Sequence, residues 1–140
     1  MRVEIDQSGR IEETNRDTII AFSNDRQLSI RIPRRVKCQL LEIFQQQGKP
    51  TVFKYKVFAF GIVILLRKSG ITPKNLSLII DREYPGHEDS IRDIIWSRVG
   101  REVEIDFESV GKHSGAHYAA YGVFMGRQDA DYTAGLEDLA

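Results

Sequence analysis

Residues 75–86 carry the sequence NLSLIIDREYPG, a short aliphatic run that is followed by two acids and stopped by a Pro-Gly pair. Such a run between turn residues is typical of a β-strand buried on both faces in a helix-covered sheet. Asp81 and Glu83 stand two positions apart at its carboxyl end, so a continued strand would place them on one face. Open α/β sheets bind their ligands at this end of the strands. We therefore expect these two acids to belong to a functional site.

The rest of the chain alternates between strand and helix patterns. Apolar–polar alternation or short β-branched runs predict further strands at residues 2–6, 18–23, 28–32 and 102–108. Helical spacing of apolar residues predicts helices at about 33–47, 52–68, 91–99 and 116–125. Short turns make the first three strands antiparallel neighbours, and the later strands follow helical crossovers. This order predicts an α/β domain with one mixed sheet and helices on both faces.

Length and composition narrow the class of protein. The 140 residues suit one domain, predicted at 1–126, with an acidic and flexible C-terminal tail at 127–140. Twenty basic residues balance twenty acidic ones, which argues against a strongly basic nucleic-acid coat but not against a local basic groove. Cys38, the single cysteine, excludes an intrachain disulfide and fits a reducing compartment; we expect it buried or half-buried on a helix.

The same composition predicts a soluble cytoplasmic protein with no membrane partner. The longest apolar run, residues 57–66, is too short to cross a bilayer. The first residues read as a strand, not as a signal peptide. The sequence leaves open whether the chain forms a homodimer.

Asp6 ends the first predicted strand and is the acid that could meet Asp81. If these two strands are parallel neighbours, both aspartates end at the same edge of the sheet. Clustered carboxylates repel one another unless a cation neutralises them, and hard oxygen ligands favour Mg²⁺ or Mn²⁺. Two such ions can stabilise the attacking and the leaving oxygen of a phosphodiester displacement. Spacing alone does not separate a metal site from the alternative, in which Asp6 and Asp81 are simply solvated acids at the ends of their strands.

Three motifs resemble those of the ribonuclease H-like superfamily, which includes ribonuclease H and Holliday-junction resolvases. The segment VEIDQSG at 3–9 is similar to the first strand with its leading aspartate, and LIIDREY at 78–84 resembles the fourth strand with its acid. Residues 105–120, IDFESVGKHSGAHYAA, resemble the fifth strand, the loop and the last helix, where the family carries a final metal ligand or a mobile histidine. The resemblance spans about 1–126. It implies a five-stranded sheet in the order 3-2-1-4-5 and divalent-metal nuclease activity.

The resemblance also implies roles for individual residues. Asp6, Asp81 and Glu83 would hold one or two Mg²⁺ or Mn²⁺ ions, while Lys112 and His117 would assist charge neutralisation or proton transfer. His117 stands where resolvases commonly have an aspartate, so Glu83 is expected to supply the missing carboxylate. The family's helical glutamate has one counterpart here, Glu42.

Several other residues have open interpretations. Arg34, Arg35 and Lys37 oppose the dipole of the helix that they begin, which hints at a phosphate-facing role, although such side chains also cover apolar surface. Asp106 and Glu108 are expected on an exposed face of an edge strand. His87 and His113 are expected at the surface.

Two functions remain in view. The first is a metal-dependent nuclease whose partner is nucleic acid, either structured DNA or an RNA-containing duplex. The second is a non-catalytic module that binds nucleic acid or protein and keeps the fold without a complete site. A nucleotide-handling relative is disfavoured, because no Gly-rich phosphate loop is present.

Overall fold

The computed structural model describes residues 1–111 and 114–139, and within them it confirms an α/β fold built on one mixed sheet. The strands are β1 (Arg2–Ser8), β2 (Thr18–Ser23), β3 (Gln27–Ile32), β4 (Ser77–Asp81), β5 (Glu104–Glu108) and β6 (Tyr132–Thr133). The α-helices are α1 (Arg34–Gln46), α2 (Phe53–Ser69), α3 (Glu88–Val99), α4 (Gly115–Phe124) and α5 (Leu136–Leu139), and a 3₁₀ turn (Pro50–Val52) precedes α2. None of the helices in these two ranges combines the length and the apolar character that a bilayer crossing requires.

The strands of the described residues lie in the order β5-β4-β1-β2-β3-β6. The first three are antiparallel, as expected from their short turns, and β1 runs parallel to β4. Ile5 pairs with Ile80, so the next residues along the two strands, Asp6 and Asp81, are neighbours at the carboxyl edge. The strand count differs from the expected five, because β6 adds to the outer edge of β3.

The two faces of the sheet are covered by different helices. On one face, Val3, Ile5 and Phe22 pack into a large core with the apolar sides of α1, α2 and α3. On the other, Ile19 and Ala21 meet α4. The α4 side of that contact consists of small residues: Ala116, Ala119, Ala120 and Val123. Because these side chains are short, the helix lies close to the sheet, with its polar residues within reach of the strand side chains.

The C-terminal segment differs from the expected flexible tail. Within 127–139, β6 pairs with β3, and Ala134 and Leu139 are 3% and 2% exposed in the main core. An Asp131 carboxylate oxygen accepts a hydrogen bond from the Ser29 backbone N–H at 2.8 Å. The outer edge of β3 would otherwise leave its backbone groups unpaired. Two apolar side chains and one aspartate are too sparse a pattern to predict this docking from composition.

Lys37 does not face a phosphate, because it lies on the buried side of α1 and is 0% exposed. Its ammonium donates to the backbone oxygens of Arg10 (3.1 Å) and Glu13 (2.6 Å) and to Thr18 Oγ1 (3.0 Å). The three N–H groups of the ammonium thus each have an oxygen acceptor, and these bonds tie the loop between β1 and β2 to α1. The next residue, Cys38, is exposed rather than buried, since the rotation of the helix turns it outward.

Replacing Lys37 by methionine should lower the free energy of unfolding by roughly 3 kcal/mol at neutral pH. Methionine fills most of the space but leaves three buried oxygens without a donor, and each unsatisfied group costs about 1–3 kcal/mol before relaxation. Urea denaturation followed by circular dichroism measures the change. Lys74→Met, at an exposed turn, is the matched control and should stay near wild type. Equal stability of the two variants would show that the three bonds contribute no net stabilisation.

Candidate metal centre

The carboxylates of Asp6, Asp81 and Glu83 converge at the carboxyl edge of β1 and β4. Each offers an oxygen atom that lies within 4.8 Å of the other two. Asp6 is buried, with 4% of its side chain exposed, while Asp81 and Glu83 are half-buried. Oxygen atoms at this separation from three side chains form a donor set that suits a hard divalent cation such as Mg²⁺ or Mn²⁺. The residues present therefore fit the ion that the sequence predicted.

Glu83 reaches this cluster by a turn and not by strand alternation. The strand β4 ends at Asp81, and the Glu83 N–H donates to the Asp81 backbone oxygen at 2.8 Å, the i to i+2 bond of a γ-turn. Arg10 fixes the turned residue, because its guanidinium donates to the Glu83 backbone oxygen at 2.6 Å and lies 3.5 Å from Glu83 Oε2. The expected proximity of the two acids holds, but its cause is the turn.

Tyr84 anchors the same turn from the large core. The ring is 3% exposed, and its hydroxyl lies within hydrogen-bond distance of Gln7 Nε2 (3.1 Å) and the Ile11 backbone nitrogen (3.2 Å). The Arg10 guanidinium lies 5.1 Å from the ring centroid. These contacts join the end of β1, the following loop and the turn after β4 into one rigid rim, so the acids are supported by side chains that do not belong to the cluster.

Each aspartate has one oxygen atom held by a backbone N–H. Gln7 N donates to Asp6 Oδ1 at 2.8 Å, and Val110 N donates to Asp81 Oδ1 at 2.8 Å. These bonds orient the carboxyl groups and leave Asp6 Oδ2 and Asp81 Oδ2 for other partners. One such partner is His117, whose Nδ1 lies 3.0 Å from Asp6 Oδ2.

Burial and mutual repulsion raise the pKa values of two acids in the cluster. Burial, followed by the nearby charge of Asp81, raises the pKa of Asp6 to about 6 even though His117 and Gln7 act in the opposite direction. Burial and a hydrogen bond with Asp81 raise the pKa of Glu83 to about 8. At neutral pH, the raised pKa favours the protonated form of Glu83, which the hydrogen bond with Asp81 stabilises. A divalent cation among the three oxygens would favour the ionised forms and release that proton.

His117 comes from the helix on the opposite side of the cluster. Ser114 caps α4, because its hydroxyl accepts from the Ala116 N–H at 3.2 Å, and Gly115 passes so close to Ser23 Oγ that a larger residue would clash. The His117 ring then lies against Asp6, and it is stacked on Tyr121 with ring centroids 6.0 Å apart and planes within 6° of parallel. An imidazole held by a carboxylate at Nδ1 keeps Nε2 for proton exchange.

Among the described residues, the others singled out in the sequence do not join the cluster. Lys112 and His113 lie outside the described residues. Glu42 is exposed on α1 and, among the described acids, does not belong to the group around Asp6. Asp106 and Glu108 are exposed on the edge strand β5, as expected. His87 is half-buried, because it stacks on Tyr55 with ring centroids 4.2 Å apart.

Arg10 is the site residue that the sequence did not reveal. It follows Gly9, whose φ of +75° turns the chain directly after β1. A lone arginine in a polar turn carries no signal that separates it from a surface residue, and its partner lies 73 positions away. Comparison of the chain with protein-family models, with curated proteins and with solved structures gave no match in any of the three.

Proposed function

We propose that this protein is a divalent-metal-dependent nuclease of the ribonuclease H type, acting on structured DNA or on an RNA-containing duplex. The observation that carries the proposal is the approach of three carboxylates, from two parallel strands and one turn, to within 4.8 Å. The adjacency of β3-β2-β1-β4-β5, with Asp6 near the carboxyl end of β1 and Asp81 at the end of β4, supports the ribonuclease H-like assignment. In this reading, β6 is an addition at the outer edge.

Asp6, Asp81 and Glu83 would hold the metal. When bound, Mg²⁺ or Mn²⁺ supplies charge neutralisation at the scissile phosphate and activation of a water molecule. The backbone donors to Asp6 and Asp81 hold the carboxylates in place, and Arg10 keeps Glu83 turned toward them. His117 accepts or returns a proton at the edge of the cluster, with its orientation fixed by Asp6.

The alternative is a binding module that never loads a metal, and one observation favours it. With Glu42 exposed elsewhere, the cluster among the described residues contains three acids, and the raised pKa of Glu83 favours its uncharged form, which reduces the repulsion. Such a cluster is stable as a hydrogen-bonded group without any cation. A measurement of metal binding therefore distinguishes the proposed nuclease from the binding module.

Thermal unfolding in EDTA, Mg²⁺ and Mn²⁺ tests the metal directly. A cation that binds only the folded chain at a hundred times its Kd contributes about 2.7 kcal/mol, which should raise Tm by at least about 5 °C. Asp81→Asn should remove most of this rise. Asp93→Asn makes the same chemical change at an exposed position of α3, across the sheet from the cluster. This variant should show the same metal-dependent rise in Tm as the wild-type chain. A Tm that is identical in EDTA and in millimolar metal would reject the metal centre and favour the binding module.

A further inference from the structure

Beside the acidic cluster, α4 exposes aromatic side chains to solvent. Tyr118 is 56% exposed, Tyr121 39% and Met125 50%, whereas most large apolar residues of the chain are buried. Tyr121 is also the residue that stacks on His117, so the exposed aromatic face begins at the cluster itself. Exposed rings next to a proposed catalytic group are a candidate surface for a flat ligand.

Arginines accompany these rings. The Arg127 guanidinium lies 5.5 Å from the Tyr121 ring centroid, and the turn after α4 places it there, since the Arg127 N–H donates to the Gly122 backbone oxygen at 2.8 Å. The Arg16 guanidinium lies 5.6 Å from the Phe124 centroid. The helix itself contains no acidic residue. Arg16 is paired with Glu13, so Arg127 is the cation that places positive charge beside the π-faces on the exposed side of α4.

The far end of α4 opens on a basic cavity of about 410 Å³, lined by Arg16, Asp17, Arg31, Arg34 and Phe124. Asp17 is already engaged, because it pairs with the Arg31 guanidinium at 2.7 Å and accepts from the Arg34 N–H at 2.8 Å. The Arg34 guanidinium forms no ion pair with any residue in the described ranges. The cavity therefore retains a cation that suits a phosphate group.

We propose that Tyr121, Arg127, Phe124, Arg16 and Arg34, here named the α4 track, bind a single-stranded segment of the nucleic acid that enters the acidic cluster. This inference rests on the proposed function and specifies its substrate as one with unpaired bases beside the scissile phosphate. A base stacks on Tyr121, and flanking phosphates meet Arg127 and the basic cavity. His117 and Phe124 lie seven positions apart, which is roughly 10 Å of helix and about the rise of three nucleotides.

Unpaired nucleic acid fits the α4 track better than the other occupants do. Stacking on tyrosine needs the face of a base, which a duplex hides within its own stack. A protein partner of comparable apolar surface would leave the Arg34 charge without a carboxylate, and a second copy of this chain would bring further arginines to the same face. Guanidinium groups next to aromatic rings match alternating phosphates and bases.

Fluorescence anisotropy with a labelled oligothymidylate, in EDTA so that no cleavage competes, tests the inference. Tyr121→Ala should weaken binding roughly ten-fold, because base–aromatic stacking is worth about 1–3 kcal/mol per base. Tyr121→Phe, which keeps the ring, should bind within about two-fold of wild type. Arg34→Gln should weaken binding and flatten its salt dependence. Arg98→Gln is the control, since its guanidinium also lies over a ring, that of Phe60, but away from α4.

The outcomes separate this inference from the proposed function. Equal affinity of Tyr121→Ala and wild type, tighter binding of a duplex of the same length, or a Tyr121-dependent dimer in sedimentation would each overturn the α4 track. None of these results involves the metal. Tyr121-dependent binding of the single strand supports the α4 track even if the Mg²⁺-loaded protein cleaves nothing. The absence of cleavage would then reject the proposed nuclease activity and leave the α4 track standing.

Discussion

Asp81→Asn should abolish Mg²⁺-dependent cleavage, with a loss of roughly a thousand-fold or more, and Asp6→Asn should do the same. An amide removes one formal charge from the donor set and presents a neutral oxygen where the cation needs an anionic one. The amide oxygen can still accept from Val110 N at position 81 or from Gln7 N at position 6, so the backbone that surrounds the cluster has no reason to rearrange. The loss should therefore appear in catalysis and metal affinity.

The same substitutions should stabilise the metal-free protein. After burial, which is the largest cause, the charge of Asp81 raises the pKa of Asp6, and the hydrogen bond and charge of Asp81 raise that of Glu83, so the Asp81 charge opposes an ionised Asp6 in the folded state. Removing it relieves that repulsion, so Tm in EDTA should rise while activity disappears. Opposite signs of this kind are typical of residues retained for function at a cost to stability.

A cleavage assay on branched DNA, duplex DNA and an RNA–DNA hybrid, combined with melting curves in EDTA, measures both effects. Asp93→Asn should change neither. Full activity in both Asp6→Asn and Asp81→Asn would show that the cleaving group lies elsewhere. A lower Tm in EDTA for both variants would show that the carboxylates stabilise the fold instead of destabilising it.

The sequence was most informative where local periodicity and turn chemistry agree. The aliphatic run before Asp81 and the alternation in β1 place two strands, and parallel pairing of these strands brings Asp6 and Asp81 together. The carboxyl-edge position of the acids follows from strand direction alone. The small-residue pattern of α4 likewise predicts a helix, although its contact with Asp6 through His117 depends on tertiary packing.

Long-range contacts account for what the sequence did not reveal. Arg10 reaches Glu83 and Lys37 reaches Thr18 across loops, and neither arrangement leaves a periodic signal. Lys37 was misjudged because a lysine is rarely fully buried, and the three oxygens that satisfy it come from separate positions in the chain. The docking of the C-terminal segment depends on a few apolar residues, Ala134 and Leu139 among them, in a polar stretch, too sparse a pattern for composition to detect.

Glu83→Gln should flatten the pH dependence of stability in the metal-free protein. In the folded chain the pKa of Glu83 is raised from 4.5 to about 8, and that of Asp6 from 3.8 to about 6. Between the unfolded and folded pKa values, the native state keeps protons that the unfolded chain has released. The free energy of unfolding must then fall as pH rises, with both groups contributing up to about pH 6 and Glu83 contributing the further decline up to about pH 8.

Urea denaturation in EDTA across this pH range gives the measurement. The wild-type chain should lose on the order of 3 kcal/mol between about pH 5 and pH 8, most of it above pH 6, where Glu83 is the group that titrates. Glu83→Gln removes that upper part of the decline, and Glu42→Gln, at an exposed position on α1, should keep it.

In the wild-type chain, saturating Mg²⁺ should flatten the pH dependence of the free energy of unfolding, as Glu83→Gln does in EDTA. The cation supplies the positive charge that favours ionised carboxyl groups in the folded state, so the folded pKa values of Asp6 and Glu83 fall and the native state no longer holds extra protons. Glu83→Gln in Mg²⁺ should gain less stabilisation than wild type, because it has lost one ligand. A wild-type decline that persists unchanged in both Mg²⁺ and Mn²⁺ would contradict a shared cation site, since the repulsion among the acids would then be independent of metal.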